Sequence, residues 1–160
     1  MLNIKLICVG KLKELFYEDA CGEYIKRLTR YCKLELVEIS EYRLPNNPSD
    51  AQILNALGRE SSEILNLLPD GAFAISLCVE GREMDSLQLS SFLSDCANNA
   101  LSRLCFIIGG SNGLHNDVKK ASSLSLSMSK MTFPHTLARV MLLEQLYRAF
   151  SILEGGKYHK

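Results

Sequence analysis

The sequence has no long hydrophobic run and no basic leader followed by a cleavable apolar stretch. None of its apolar segments reaches the roughly 18 residues that a membrane-spanning helix requires. At the amino terminus, Leu2, Ile4 and Leu6 alternate with polar residues instead of forming a signal peptide. We therefore expect a soluble, cytoplasmic protein that does not act at a membrane.

Cysteine pairs are also lacking. The six cysteines include no CxxC motif, and four of them lie in apolar runs or on predicted inward helix faces. This pattern is typical of buried reduced thiols and not of a disulfide framework or a zinc site, so no metal is expected. No cysteine lies beside a turn motif with a histidine partner, which argues against a catalytic thiol.

Net charge is zero, which argues against a protein that holds nucleic acid by a global positive field. The charge is unevenly distributed, however. From His115 onward, seven Lys or Arg stand against three Asp or Glu, so this part carries +4 and the rest carries −4. Either a local anionic partner or ordinary surface variation explains the difference.

The residues that are present predict one α/β domain over 1–160. With 160 residues and 47% apolar content, the chain is long enough for one continuous core. Apolar segments of strand length alternate with helical patterns, which indicates a parallel sheet flanked by helices. The predicted strands are 2–9, 34–39, 72–79, 104–108 and 124–128, and residues 40–48 read as an exposed loop. Ser49 with Gln52, and Asp85 with Gln88, have the spacing of capping boxes and predict two helix starts.

The last predicted helix runs from near Pro134 to just before Gly155 and is apolar around its whole circumference. Such a helix must be buried on more than one side. We expect one side to face the sheet and the other to meet a second copy of the chain, with Leu146 in that contact.

Three charged residues of this helix need partners. Arg139 falls within its apolar arc and requires a carboxylate, a phosphate or water, and an ion pair across a dimer is the structural alternative. Glu144 and Arg148 are four residues apart and favour a helix-surface ion pair over a catalytic role.

Two segments follow strands and have the composition of ligand-binding loops. In 106–113 the letters FIIGGSNG place glycines at the carboxyl end of a buried strand, which predicts either a ligand site or a turn that needs glycine for backbone reasons. In 126–135 the letters LSMSKMTFPH form a Ser/Thr-rich loop that leads into the last helix. Both loops leave carboxyl ends of strands, so they are expected to converge on one pocket that suits an adenosyl ligand. His135 is either part of that pocket or a helix-start histidine bonded to backbone.

The chain ends in Tyr158, His159 and Lys160 after two glycines. These residues form either a frayed terminus or a group that supplies stacking, proton transfer and phosphate contact.

Taken together, these segments resemble the RlmH (YbeA) family of SPOUT-class ribosomal RNA methyltransferases. The residues that carry the resemblance span nearly the whole chain: VGKLK at 9–13, IIGGSNGL at 107–114, LSMSKMTFPH at 126–135, RVMLLEQLYRAF at 139–150 and YHK at 158–160. The resemblance implies a parallel sheet with a C-terminal trefoil knot, a homodimer, and methylation of N3 of a pseudouridine in 23S rRNA within the large subunit or the assembled ribosome. Its methyl donor is S-adenosylmethionine.

The resemblance also implies a set of site residues. The cofactor would be held by Leu77, Gly109, Gly110, Met128, Ser129, Lys130, Met131, Thr132 and Phe133. Since N3 of the base is a weak nucleophile until its proton is lost, a base or a group that stabilises the anion is required. His159 and Tyr158 are assigned to positioning and proton removal, with Arg139 near phosphate or cofactor, and His135 as a further candidate.

Two other functions remain open from the residues alone. An NAD-dependent oxidoreductase would use the glycine turn, but the segment does not match GxGxxG and no acidic residue follows about 20 positions later. A non-enzymatic ribosome-associated factor would use the basic C-terminal third to dock.

Overall fold

Strands and helices alternate along the chain, as the hydrophobic pattern predicts. The computed structural model describes residues 1–160. The strands are β1 (Leu2–Val9), β2 (Cys32–Ile39), β3 (Phe73–Glu83), β4 (Arg103–Ile108) and β5 (Leu124–Ser127). The helices are α1 (Leu15–Leu28), α2 (Asp50–Leu67), α3 (Ser86–Asn98), α4 (Asn116–Ala121) and α5 (His135–Leu153). All five predicted strands are therefore confirmed, with β2 starting earlier and β3 ending later than expected.

The five strands form one parallel sheet in the order β2-β1-β4-β3-β5. Alternate residues of β1 point to opposite faces of this sheet. Leu6 joins the larger apolar cluster with α1, α3 and α5, while Ile7 joins the smaller cluster with Ile64 of α2 and Val118 of α4. The predicted α/β architecture with helices on both faces is confirmed, and the trefoil knot stays a prediction.

Both predicted capping boxes are present. The Ser49 hydroxyl accepts a hydrogen bond from the Gln52 amide, and the Gln52 side chain accepts one from the Ser49 amide. Asp85 and Gln88 are paired in the same way at the start of α3. These local signals fix where two helices begin.

Strand β3 contains an excursion that the sequence pattern does not predict. Its pairing with β5 jumps at Leu126, which lies opposite both Leu77 and Arg82, so residues 78–81 leave the ladder. The backbone returns through Gly81, where a Cβ atom would lie 2.7 Å from the carbonyl carbon of Ser125. Only glycine permits this close approach, and the excursion carries residues 78–80 over the carboxyl edge of the sheet.

Contacts with other elements of the same chain account for most of the apolar surface around α5. Helices α1 and α3 both contact α5, which also touches β4. Leu146 is fully buried in this core, together with Leu143 and Ala149. The expectation that Leu146 lies in a subunit contact is therefore wrong, because two helices of the same chain cover that side. The apolar residues of α5 that stay half-buried include Leu137, Val140 and Met141.

Five of the six cysteines are buried, and none is in a disulfide. Burial raises the pKa of Cys8 to about 12, so this thiol remains protonated at neutral pH. The exception is Cys78, which is half-buried in the β3 excursion. No group of three or more His, Cys, Asp or Glu side chains is arranged to hold a metal ion, and no helix is long and apolar enough to cross a membrane.

Candidate active site

A cavity of about 700 Å³ lies at the carboxyl ends of β3, β4 and β5. Three segments line it: the start of the β3 excursion (77–80), the turn after β4 (108–114) and the loop after β5 (128–135 without Lys130). Parallel strands bring their carboxyl ends to one edge of a sheet, so connections that are distant in sequence meet there. The predicted convergence of the two loops on one pocket is thus confirmed.

The turn after β4 folds tightly on itself. The Gly113 amide donates a hydrogen bond of 3.1 Å to the Gly110 carbonyl, and Gly113 has a φ of +78°. A Cβ atom at Gly109 would lie 2.6 Å from the Gly113 carbonyl carbon. Glycine at 109 is therefore required by the turn itself, and the resulting backbone faces the cavity without side chains.

The loop after β5 is held by its own serines. The Ser127 hydroxyl donates to the Ser129 carbonyl at 2.9 Å, and the Met131 amide donates to the Ser129 hydroxyl at 3.1 Å. These bonds curve the loop around the cavity. Met131 lines the cavity but is 72% exposed, whereas Lys130 points to solvent and does not line it.

Eight of the nine predicted cofactor residues line the cavity: Leu77, Gly109, Gly110, Met128, Ser129, Met131, Thr132 and Phe133. Lys130 is the exception. Sequence reasoning missed Cys78, Glu80 and Lys119, which also line it. The signal for Cys78 and Glu80 was Gly81, since a glycine within a strand indicates a bulge or a close approach. No sequence signal indicated Lys119, which lies on α4.

Glu80 and Lys119 form an ion pair at the cavity wall. The hydrogen bond from Lys119 holds the pKa of Glu80 below its usual value. The pair joins the β3 excursion to α4 and leaves neither charge free at the cavity wall.

His135 is the first residue of α5 and lines the cavity. Its Nε2 atom lies 3.4 Å from where a Cβ atom of Gly10 would be. The imidazole therefore lies against the bare backbone that follows β1. Of the predicted catalytic residues, His135 is the one that the fold brings to the cavity.

Arg139 lies one turn further along α5 and is 2% exposed. Its guanidinium donates to Glu38 Oε2 at 2.6 Å and to the Gly10 carbonyl at 3.0 Å, and its Nε has no partner. The carboxylate that this residue required is thus supplied by β2 of the same chain. The structure does not bring Arg139 to the cavity, but it ties the ends of β1 and β2 to the helix that carries His135.

The C-terminal residues fold back on α5 of their own chain. The Tyr158 hydroxyl donates to Glu144 Oε1 at 3.0 Å, its ring packs edge-on against Tyr147, and Arg148 lies 4.6 Å above that ring. Glu144 and Arg148 are paired as predicted. Burial raises the pKa of Tyr158, and hydrogen bonds to Tyr24 and Glu144 raise it further. His159 and Lys160 are exposed, and no residue of this tail lines the cavity.

The fold and the cavity define an α/β protein with a candidate ligand site at the carboxyl edge of a parallel sheet. The family described as "Predicted SPOUT methyltransferase" matches residues 2–159. The chain therefore belongs to the SPOUT methyltransferase family.

Similar proteins share nearly the full length. Ribosomal RNA large subunit methyltransferase H of Clostridium botulinum (strain Alaska E43 / Type E3) is 50% identical over 99% of this chain and 100% of the relative. The protein of the same name from Clostridium tetani (strain Massachusetts / E88) is 45% identical over the same shares. Among solved structures, a probable methyltransferase from Bordetella pertussis Tohama I aligns with a TM-score of 0.57 over 93% of this chain and 96% of that chain. Its identity is 13%, so this likeness concerns the fold.

Proposed function

We propose that this chain transfers a methyl group from S-adenosylmethionine to N3 of a pseudouridine in 23S ribosomal RNA, acting in the cytoplasm as a homodimer on the large subunit or the assembled ribosome. The observation that carries the proposal is the cavity. Its walls are formed by segments that lie within residues 2–159, the part of the chain that matches the family. Incubation of intact ribosomes with labelled S-adenosylmethionine tests it. Labelled 23S rRNA with the methyl group on N3 of a pseudouridine is expected, and unlabelled rRNA would contradict the proposal.

The cavity fits the proposed cofactor in size and chemistry. A volume of about 700 Å³ lies within the usual range for small-molecule sites. Backbone groups of the glycine turn suit the polar edges of adenosine, and Leu77, Met128 and Phe133 offer apolar surface to its ring. When bound, S-adenosylmethionine supplies an electrophilic methyl group, so the main task of the chain is to align it with the base.

Cys78 offers a direct test of cofactor binding. It lines the cavity, while the other five cysteines are buried. S-adenosylmethionine is expected to slow alkylation of Cys78, and NADH is expected to have no effect. The Cys78→Ser variant shows how much labelling comes from other positions. Equal alkylation rates with and without S-adenosylmethionine would remove the cofactor from this cavity.

The proton on N3 must leave before the nitrogen attacks the methyl group. Tyr158, whose raised pKa keeps it neutral, suits positioning and hydrogen-bond donation better than proton removal. His135 at the cavity wall and His159 in the tail are the remaining candidates for the base. The role of Arg139 in this scheme is to hold the backbone against which His135 lies.

The homodimer is supported by the distance between tail and cavity. Tyr158 is bound at the middle of α5, whereas the cavity lies at the start of that helix. A second copy that delivers its tail to the cavity would complete the site. Exposed apolar residues are available for such a contact, among them Leu15 and Phe16 at the start of α1.

Mixing two inactive variants tests this arrangement. Gly109→Val damages the cavity and His159→Ala damages the tail, so each homodimer is expected to be nearly inactive. If the tail acts in the partner's cavity, mixed dimers contain one intact site, and activity returns after subunit exchange. No recovery in dimers that sedimentation shows to be mixed would indicate that each tail serves its own chain.

Free cations at the carboxyl edge of the sheet support contact with RNA. Lys11 and Lys13 follow β1, Arg43 follows β2 and Lys130 follows β5; all four are exposed, and none forms an ion pair. Within the basic C-terminal third, Lys119, Arg139 and Arg148 are neutralised by acidic partners. The other four cations of that third, Lys120, Lys130, Lys157 and Lys160, are exposed and form no ion pair. The unpaired cations therefore come both from the C-terminal third and from the loops that follow β1 and β2.

A further inference from the structure

The loop between β2 and α2, residues 40–49, is anchored at two adjacent positions. The Tyr42 amide donates to Glu60 Oε2 at 3.0 Å, and Glu41 Oε1 accepts a hydrogen bond of 2.8 Å from the Ser111 amide. Glu60 belongs to α2, while Ser111 belongs to the glycine turn that lines the cavity. The loop therefore connects a helix on one face of the sheet with the turn at its carboxyl edge.

Glu41 lies directly against the backbone of the turn. A Cβ atom at Gly110 would be 2.7 Å from Glu41 Oε1 and 3.2 Å from a methyl carbon of Val9. Glycine at 110 thus leaves the space that this carboxylate occupies. The other oxygen, Oε2, lies 3.9 Å from the corresponding Cβ position of Gly10, where His135 is the nearest neighbour. Glu41 consequently lies between the two glycine backbones that border the site.

Glu60 is an unusual residue for its position, because it is only 4% exposed. Burial raises its pKa, and the nearby carboxylates of Glu41 and Glu63 raise it as well. A buried carboxyl group is costly unless it is hydrogen-bonded, and the bond from the Tyr42 amide meets that need. Because Tyr42 follows Glu41 directly, this bond fixes the backbone from which Glu41 reaches the turn.

We propose that Glu41 is a positioning residue for methyl transfer: with its backbone held by Glu60 through the Tyr42 amide, its carboxylate fixes the glycine turn 109–113 in the shape that binds the cofactor. The inference rests on the proposed function, since it assumes that the cavity takes S-adenosylmethionine. A carboxylate that accepts a backbone amide forms a charge-assisted bond, which is among the stronger hydrogen bonds in proteins.

The first test is independent of the cofactor. Loss of the carboxylate in Glu41→Ala frees the Ser111 amide, so its hydrogen exchange, followed by NMR, should become faster by about tenfold or more. Glu41→Gln keeps an oxygen acceptor and is expected to restore most of the protection. Glu63→Ala, on the exposed face of α2, is the matched control. Unchanged exchange at Ser111 in Glu41→Ala would overturn the inference whatever the chain catalyses.

The second test measures cofactor binding and turnover. Glu41→Ala is expected to raise the Kd and the KM for S-adenosylmethionine about tenfold, which corresponds to one bond of about 1.4 kcal/mol. At saturating cofactor, kcat should return to near the wild-type value, because Glu41 does not line the cavity. Glu41→Gln, which keeps a neutral acceptor, should recover most of the lost affinity, and Glu63→Ala should bind like the wild type. Equal affinity of Glu41→Ala and Glu63→Ala would contradict the inference.

Variants of Glu60 test whether its hydrogen bond with the Tyr42 amide holds Glu41 in place. Glu60→Gln retains the acceptor for Tyr42 and should bind S-adenosylmethionine normally, while Glu60→Ala should show part of the Glu41→Ala effect. The double variant of both alanines should be no weaker than Glu41→Ala alone, because both act through one hydrogen bond. Additive losses would overturn the anchoring role. If the wild type protects Ser111 but binds no S-adenosylmethionine, the proposed function fails while the anchoring of the turn stands.

Discussion

The cavity and the C-terminal tail differ in how completely one chain builds them. The cavity has three walls from the same sheet edge, each fixed by hydrogen bonds or close backbone contacts of that chain. The tail is bound to α5 through Tyr158, and its last two residues are exposed. Under the proposed function, this difference predicts that cofactor binding and methyl transfer are separable: one chain should suffice for the first, and the second should require the tail to reach a cavity.

Removal of the tail should separate methyl transfer from cofactor binding more strongly than any other change. A chain that ends at Lys157 is expected to lose methyl transfer to ribosomes by about a hundredfold or more, as proton transfer and positioning groups are lost. Its melting temperature should fall by a few degrees at most, and its affinity for S-adenosylmethionine should be largely kept. His159→Ala alone should show a large share of the loss. Near-normal transfer by the truncated chain would make the tail a mere terminus and direct attention to His135.

Damage to the cavity should weaken the binding of S-adenosylmethionine, which removal of the tail should leave largely intact. Gly109→Val places a branched side chain against the Gly113 carbonyl, so the turn cannot keep its shape. We expect the Kd for S-adenosylmethionine to rise by roughly tenfold or more. Gly58→Ala serves as the matched control because a Cβ atom there meets nothing within 4 Å. Calorimetry that finds wild-type affinity in a folded Gly109→Val chain would remove this turn from the site.

Loss of the free cations that follow β1 should have a smaller effect that depends on salt. The double variant Lys11→Gln with Lys13→Gln is expected to lower kcat/KM for ribosomes several-fold and to weaken its dependence on salt concentration, because fewer phosphates are neutralised. The affinity for S-adenosylmethionine should not change. Lys33→Gln, an exposed position near the opposite edge of the sheet, is the control. An equal loss of kcat/KM in the Lys11/Lys13 double variant and in Lys33→Gln would exclude an RNA contact that is local to Lys11 and Lys13.

The smallest effect expected is on stability. Because the pKa of Glu60 is raised above its ordinary value of 4.5, the folded chain keeps this proton at pH values where the unfolded chain has lost it. The stability that this provides is complete below the unfolded pKa and is lost as pH rises through the folded pKa. Glu60→Gln avoids the loss, so its melting temperature relative to wild type should increase by a few degrees as pH rises above 4.5. A difference in melting temperature between Glu60→Gln and the wild type that does not change with pH would contradict the predicted direction.

Local and periodic signals in the sequence determined the elements of the fold. Strand positions followed from apolar runs, and the starts of α2 and α3 followed from Ser49 and Asp85, because a capping box depends only on residues three positions apart. The convergence of the glycine turn and the Ser/Thr-rich loop also followed, since parallel strands end at one edge. Family resemblance assigned cofactor roles to individual residues and added Leu77, which lies in neither of these two loops and also lines the cavity.

Only the tertiary structure decided which residues become partners across the sheet. Glu38 reaches Arg139 over 101 positions of sequence, and Glu41 reaches Ser111 over 70, and no periodic pattern encodes such pairs. The burial of Leu146 between α1 and α3 likewise depends on how helices pack, so an apolar helix face alone does not distinguish a core from a subunit contact. The sequence thus determines the elements and the edge where they meet, whereas packing between distant segments decides which polar groups hold the site in shape.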